Sequence, residues 1–163
     1  MIDAAVIGET LRRARESPRR RCNYNFHDAD SDELHRFLNV LLQGTYVAPH
    51  RHVTPPKGET FLLLEGTAAV VCFDDAGSVT DRILLGGPEA VPKGWRGGGF
   101  GVDVGPAVWH TITALSPHAV CFEVKLGPWD PATDKEFAPW APREGEAGAA
   151  AYLDRILRAP AAD

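Results

Sequence analysis

The fold is decided by the stretch GTYVAPHRHVTPPKGETFLLLEG, which runs from Gly44 to Gly66. It holds two histidines two residues apart, His50 and His52, and then Glu59 at the head of a run of β-forming residues. Because residues i and i+2 of a strand point to the same face, both imidazoles are expected on one face. A turn through residues 54–58 would bring Glu59 back beside them. This spacing is typical of metal ligands.

The pattern of β-forming residues continues to about Gly127. Short runs rich in β-branched and aromatic residues follow one another, each bounded by turn residues. Residues 65–66 and 75–77 are predicted hairpin turns, since glycine supplies the positive φ that such turns need. The glycine-rich residues 94–105 are predicted to form a loop or bulge, because no Lys-Ser/Thr pair of a phosphate-binding loop is present. Seven or more short strands without intervening helices predict an antiparallel sandwich or barrel.

Helices are predicted on both sides of this region. The first ends near Glu16, before Ser17-Pro18, and the last covers residues 149–159. A further helix is predicted over residues 30–43, where five apolar residues recur at helical spacing: Leu34, Phe37, Leu38, Leu41 and Leu42. We therefore expect one domain with a helical segment (1–44), a barrel (45–127), and a proline-rich aromatic strap with a helix packed on it (128–163).

Composition excludes several classes of protein. The 163 residues carry a net charge of −5, so broad attraction to nucleic acid or anionic lipid is not expected. Six arginines between Arg12 and Arg21 are best explained as a solvated helix face. The three cysteines form no C-x-x-C pair, and no apolar run approaches the ~20 residues of a membrane span. These features indicate a cytoplasmic protein with reduced thiols.

A fourth metal-ligand candidate is His110, which opens a later predicted strand. Together with His50, His52 and Glu59, it would place three imidazoles and one carboxylate on the inner face of a small barrel. Such a set binds a divalent metal and leaves coordination positions open. Iron, manganese, nickel, zinc and cobalt all suit these ligands.

Strand alternation also suggests residues of the pocket wall. Tyr46 shares parity with the two histidines, so it is a candidate catalytic residue, although a core tyrosine is an equal alternative. Glu123 and Lys125 share one strand face and are either a catalytic acid/base pair or, more simply, a structural ion pair. His35 and His118 are expected to be structural or exposed. No role is assigned to five further polar residues: Asn23, Asn25, His27, Arg36 and Arg51.

These residues resemble the cupin superfamily. Its first motif, G-x5-H-x-H-x3–4-E-x6-G, is similar to the stretch from Gly44 to Gly66, with six residues instead of three or four between His52 and Glu59. Its second motif, G-x5-P-x-G-x2-H-x3-N, is similar in spacing from Gly99 to His110. This chain departs from that motif at three positions: Gly105, Ala107 and Ala114.

One branch, the WbuC-like cupin fold metalloproteins, is similar over about three quarters of the chain. The resemblance covers RRRCNYNFH (19–27), GTYVAPHRH (44–52) and FEVKLGPWDPATDKEFAPWAPRE (122–144). It implies a single-domain jelly roll, or double-stranded β-helix, with the metal held by His50, His52, Glu59 and His110. It also implies a bacterial protein with relatives encoded among genes for O-antigen or other surface polysaccharides.

Three functions follow from these predictions. The first is a metal-dependent enzyme of the isomerase or epimerase type, acting on a small sugar or sugar-phosphate derivative. The second is an iron- or nickel-dependent dioxygenase, and the third is a non-catalytic module that binds a small ligand. Fold alone does not decide among them, because one scaffold hosts many reactions. A small-molecule ligand is the expected partner, and a homodimer through the outer strands is expected by analogy with cupins.

Overall fold

The structure is a computed structural model that describes residues 1–87 and 91–158. Within these ranges one long, mainly antiparallel sheet rolls up between two helices, with a single parallel pair of strands at β5 and β6, which confirms the predicted all-β fold with flanking helices. The elements in chain order are α1 (Ala4–Glu16), β1 (Arg21–Asn25), β2 (Leu34–Leu42), β3 (His50–Arg51), β4 (Glu59–Phe73), β5 (Val79–Leu85), β6 (Arg96–Gly99), β7 (Gly101–Val104), β8 (Trp109–Leu126), β9 (Glu136–Phe137) and α2 (Ala149–Arg158).

The two long strands, β4 and β8, form the centre of the sheet. They pair from Glu59 opposite Lys125 to Phe73 opposite Trp109. The sheet order is β1-β2-β8-β4-β5-β6, and the short strand β3 pairs with both β8 and β9. Because β8 pairs with β2 over one half and with β3 at its other end, the sheet closes around an interior. The main apolar core fills one part of that interior, with Leu41, Phe61, Val70, Leu85 and Ile112 among its buried members.

The helix predicted over residues 30–43 is wrong, because Leu34–Leu42 form strand β2. Its two faces are both covered. Leu38, Val40 and Leu42 pack towards α1, whereas Leu41 belongs to the main core. A strand that is buried on both sides has a continuous run of apolar residues in its sequence. Periodicity alone does not distinguish such a run from a buried helix. The expected helical segment 1–44 is therefore helical only over α1.

The structure also corrects two local predictions, those for residues 65–66 and for residues 94–105. Residues 65–66 form no hairpin turn, since β4 continues through them with irregular register on both sides of Gly66. Gly66 has a φ of 78°, and a Cβ there would collide with the His118 carbonyl of β8. The glycine-rich segment 94–105 contains strands β6 and β7 and is not simply a loop. The predicted turn at residues 75–77 is confirmed, with the Gly77 N–H donating to the Asp74 carbonyl.

Both helices pack on the outside of the sheet. Asp3 caps α1 by accepting hydrogen bonds from the N–H groups of Ala5 and Val6. Helix α2 buries Tyr152, Leu153 and Ile156. Trp140, from the proline-rich segment before α2, packs against Phe73 and Trp109, with ring centroids 5.1 and 5.9 Å away. In the described ranges, neither helix is long and apolar enough to cross a membrane.

Strand β2 supplies a stability test with an internal control. Leu38 is 0% exposed, whereas Leu34 of the same strand is 45% exposed. Leu38→Ala is expected to lower the free energy of unfolding by about 3 kcal/mol, because it leaves a cavity between β2 and α1. Leu34→Ala is expected to cost about 1 kcal/mol or less. Urea unfolding followed by circular dichroism measures both, and equal losses would contradict this placement of β2.

Candidate metal centre

A cavity of about 650 Å³ lies inside the rolled sheet, beside the apolar core. Its wall is unusually polar for the interior of a small domain. The side chains facing it come from β1, β2, β3, β4, β8 and the segment around β9. They include His50, Glu59, His110, Glu123 and Lys125. The structure thus gathers most of the predicted site residues at one place.

Four metal-ligand candidates meet at the inner end of this cavity. His50 in β3 pairs directly with His110 in β8, and Glu59 is the first residue of β4. His52 follows β3, and the four side chains offer ligand atoms that all lie within 4.8 Å of one another. Each of the four residues is at most 3% exposed. His50 and His52 therefore lie on the same face, as their two-residue spacing predicted.

Backbone carbonyls fix the orientation of all three imidazoles. His50 Nδ1 donates to the Ala48 carbonyl at 3.0 Å, and His110 Nδ1 donates to the Val108 carbonyl at 2.8 Å. His52 Nδ1 donates to the Asp134 carbonyl. Because a carbonyl only accepts, each Nδ1 carries a proton. The Nε2 atoms are therefore the ones available as ligands, in the manner of metal-binding histidines held by a hydrogen bond on the other nitrogen.

The Nε2 atoms converge on the Glu59 carboxylate. His52 Nε2 lies 2.8 Å from Oε1, and His110 Nε2 lies 3.0 Å from Oε2. The buried Nε2 of His50 has no hydrogen-bond partner, and the His52 contact lacks hydrogen-bond geometry. Lone pairs this close to a carboxylate need a cation between them. At metal-ligand distances of about 2.0–2.2 Å, neighbouring ligand atoms lie roughly 3 Å apart, so the donor set fits a divalent metal.

Electrostatics at the centre favour the forms that bind a metal. Burial holds the pKa of His50 well below its usual value, and the charges of Lys135 and His110 act in the same direction, so that ring is neutral. Burial alone would raise the pKa of Glu59. The neighbouring His110 and His52 imidazoles outweigh it and hold that pKa well below the usual range. Glu59 is therefore a carboxylate facing imidazole nitrogens.

A buried ionic network lies beside the four ligand candidates and includes Asp134 from the proline-rich strap. The Asp134 carboxylate accepts from Lys57 Nζ at 3.2 Å and from Lys125 Nζ at 3.0 Å. Lys125 Nζ also lies 3.4 Å from Glu59 Oε1. Burial works against the charge of Lys125, but Glu59, Glu123 and Asp134 raise its pKa. Lys125 thus binds carboxylates on the metal side of the cavity. Neither Lys57 nor Asp134 is part of a motif that predicts a site from the sequence.

Glu123 lies on the cavity wall and is the group best suited to move a proton. It is 5% exposed, and Asn39 Nδ2 donates to its Oε2 at 2.8 Å. Burial, followed by the charge of Glu59, raises the pKa of Glu123 to about 8. Both its acid and its carboxylate forms are consequently available near neutral pH.

Tyr46 does not lie where strand parity predicted. Its hydroxyl donates to the Pro142 carbonyl at 2.7 Å, and its ring packs against Tyr152 in the apolar cluster under α2. Burial raises its pKa. Tyr46 does not belong to the cavity wall. The parity argument failed because residues 45–49 form no regular strand, so alternation from His50 does not extend back to Tyr46.

The remaining polar candidates divide between the cavity and the surface. Asn23, Asn25, His27 and His35 face the cavity, and His27 stacks on His35 with ring centroids 4.0 Å apart. His35 is buried and is not merely an exposed flank of a helix. Three other residues lie outside the cavity: Arg51 pairs with Glu136 and Asp75, Arg36 donates to the Phe26 carbonyl, and His118 lies 3.5 Å from Glu65.

Sequence comparison identifies the family. A family model described as "Domain of unknown function (DUF6016)" matches residues 2–85, slightly more than half of the 163 residues. The chain belongs to the DUF6016 family. A search of curated protein sequences found no match for this DUF6016 protein.

Solved structures show the fold of the DUF6016 protein. Protein SO0799 from Shewanella oneidensis superposes with a TM-score of 0.52 and 11% identity, over 72% of this chain and 73% of that one. The capsular polysaccharide assembling protein CapF from Staphylococcus aureus superposes with a TM-score of 0.54 and 19% identity. The match covers 74% of this chain but only 32% of CapF. At these identities the likeness shows the fold alone, which is the single-domain cupin jelly roll.

The raised pKa of Glu123 makes the stability of the metal-free protein depend on pH. Because the folded pKa of about 8 exceeds the ordinary 4.5, the contribution of Glu123 is full below pH 4.5 and is lost as the pH rises towards 8. Relative to wild type, Glu123→Gln is therefore expected to become progressively more stable between pH 5 and about pH 8.5. Urea unfolding across this range measures the difference.

The matched control is Glu33→Gln, which changes an exposed glutamate immediately before β2. Its free energy of unfolding should run parallel to that of the wild type at every pH. If the Glu123→Gln curve is also parallel to the wild-type curve, Glu123 is ionised in the folded protein at neutral pH and the assignment is wrong.

Proposed function

We propose that this protein is a metal-dependent isomerase or epimerase acting on a small polar molecule of the sugar or sugar-phosphate class. In this proposal His50, His52, Glu59 and His110 hold one divalent ion. The observation that carries the proposal is the arrangement of the three imidazoles. Each is locked through Nδ1 to a backbone carbonyl, and each directs Nε2 to the same buried point beside Glu59.

The cavity beside that point supports a role beyond structural metal binding. A closed structural zinc site uses all its coordination positions for protein ligands and needs no adjoining space. Here the donor set adjoins a cavity of about 650 Å³, within the range that accommodates small-molecule ligands. Iron, manganese, nickel, zinc and cobalt remain the candidate ions, because imidazole and carboxylate ligands suit all of them.

The residues of the wall supply the other parts of an isomerase. A bound divalent ion would act as a Lewis acid on a substrate carbonyl oxygen. Glu123 can exchange a proton with the substrate, since its pKa of about 8 makes both of its forms accessible. Asn39 holds the Glu123 carboxyl in place, and Lys125 keeps the neighbouring Glu59 charged. The three-histidine, one-glutamate set would also suit a dioxygenase, but Glu123 favours proton transfer.

Two lines support the sugar class. The chain resembles WbuC-like proteins, whose relatives are encoded among genes for surface polysaccharides, and its fold matches a part of the capsular polysaccharide assembling protein CapF. We extend to this chain, as part of the proposal, a role in bacterial surface polysaccharide synthesis. The division into residues 1–44, 45–127 and 128–163 also stays a proposal, with the three parts forming one unit around the site.

Metal binding is the first test. The wild type is expected to bind one divalent ion per chain, and His50→Ala should weaken binding by at least about 100-fold, because it removes a ligand. Competition with a chelating indicator, together with elemental analysis, measures both. His118→Ala is the matched control, since that histidine lies outside the cavity. If His50→Ala and His118→Ala bind metal equally well, His50 is not a ligand.

Proton transfer is the second test. Metal-loaded protein is incubated in D2O with glucose 6-phosphate, mannose 6-phosphate and fructose 6-phosphate, and proton NMR follows deuterium incorporation at C-2 of the two aldose phosphates and at C-1 of fructose 6-phosphate. Incorporation is expected with the wild type, and Glu123→Gln should slow it by about 10²–10⁴-fold while metal content stays the same. Oxygen uptake by the iron-loaded protein without deuterium incorporation would instead establish the dioxygenase. If neither activity is detected, the remaining hypothesis is the non-catalytic binding module.

A further inference from the structure

Lys135 faces the cavity from the segment that closes it. Strand β9 pairs Phe137 with His50 and Glu136 with Arg51. Phe137 faces the cavity, while Glu136 turns outward to bind Arg51. Lys135 immediately precedes β9, and it lines the same cavity as His50 and Phe137. The charge of Lys135 also helps to lower the pKa of His50.

Most carboxylates of the wall already have other partners. Asp134 is bound by Lys57 and Lys125, and Glu144 is bound by Arg19 and Arg21. Glu59 belongs to the metal centre, and Glu123 is mostly protonated at neutral pH. Asp30 is exposed, and only its backbone carbonyl is engaged, by the Trp129 N–H and by His35. Lys135, in contrast, makes no hydrogen bond or ion pair with any side chain in residues 1–87 and 91–158.

A half-buried ammonium group without a partner is costly, because burial disfavours its charged form. Burial accordingly lowers the pKa of Lys135. An anion in the cavity would remove this cost. Three arginines lie on the same wall: Arg19 and Arg21 share one carboxylate, that of Glu144, and Arg13 adds a further positive charge. The surplus positive charge of this group favours the entry of an anion. A divalent ion at the centre would add more positive charge than Glu59 cancels.

We propose that Lys135 binds the carboxylate or phosphate group of the substrate while another oxygen of that substrate reaches the metal centre. This inference rests on the proposed function and narrows its substrate class to small anions. A ligand held at both ends is fixed in orientation inside the cavity that Glu123 also lines.

Isothermal titration calorimetry on the zinc-loaded protein tests the proposal with inorganic phosphate and malonate as probes and with xylitol as a neutral comparison. Lys135→Gln is expected to weaken binding of at least one anion by about tenfold or more, since it removes a charge-assisted hydrogen bond. Lys135→Arg keeps the charge and should stay within about threefold of wild type. Lys93→Gln, which changes an exposed lysine outside the cavity, should change nothing.

The outcomes separate this inference from the proposed function. If Lys135→Gln keeps its zinc but binds both anions within twofold of wild type, Lys135 is not the anion site, whereas the metal centre stands. The inference also fails if the wild type binds neither anion more tightly than xylitol. If none of the five candidate ions binds, the proposed function fails, and the same titrations on metal-free protein decide the role of Lys135. The probe that binds more tightly distinguishes phosphate from carboxylate as the recognised group.

Discussion

The buried carboxylate of Glu59 is the constraint around which the interior is arranged. An ionised carboxylate that is 3% exposed is stable only when cations and hydrogen-bond donors surround it. His52, His110 and Lys125 all lie within 3.4 Å of its oxygens. The imidazole protons, however, are used on backbone carbonyls through Nδ1, so the rings turn their lone-pair side towards a negative charge. A divalent cation would resolve that conflict, so the cluster fits a metal site better than a simple ionic core.

The segment that precedes β9 ties this centre to the rest of the fold. Asp134 contributes its carbonyl to His52 and its carboxylate to Lys57 and Lys125. One residue therefore orients a metal-ligand candidate and pairs with two buried ammonium groups. The neighbouring Lys135 points into the cavity, and Trp140 fastens the following segment to Phe73 and Trp109. The strap thus shapes the cavity as well as covering the sheet.

Much of the site was predictable because the period of a strand is short and strict. His50 and His52 share a face for that reason, and β3 indeed pairs His50 with His110. Tyr46 lay beyond the end of the strand, where parity carries no information. Strand β2 resembled a helix because both of its faces are buried. Asp134 and Lys57 lie 77 residues apart in sequence, and only the folded chain shows that they meet. Long-range ionic contacts leave no local pattern that a single sequence reveals.

A crystal structure of the metal-loaded protein, with anomalous difference maps measured on both sides of the metal edge, tests the central claim most directly. The account predicts one strong peak within about 2.0–2.3 Å of the Nε2 atoms of His50, His52 and His110 and of a Glu59 oxygen, with at least one coordination position open to the cavity. Coordination through any Nδ1 atom, a metal without Glu59, or an anomalous peak only outside the cavity would contradict it.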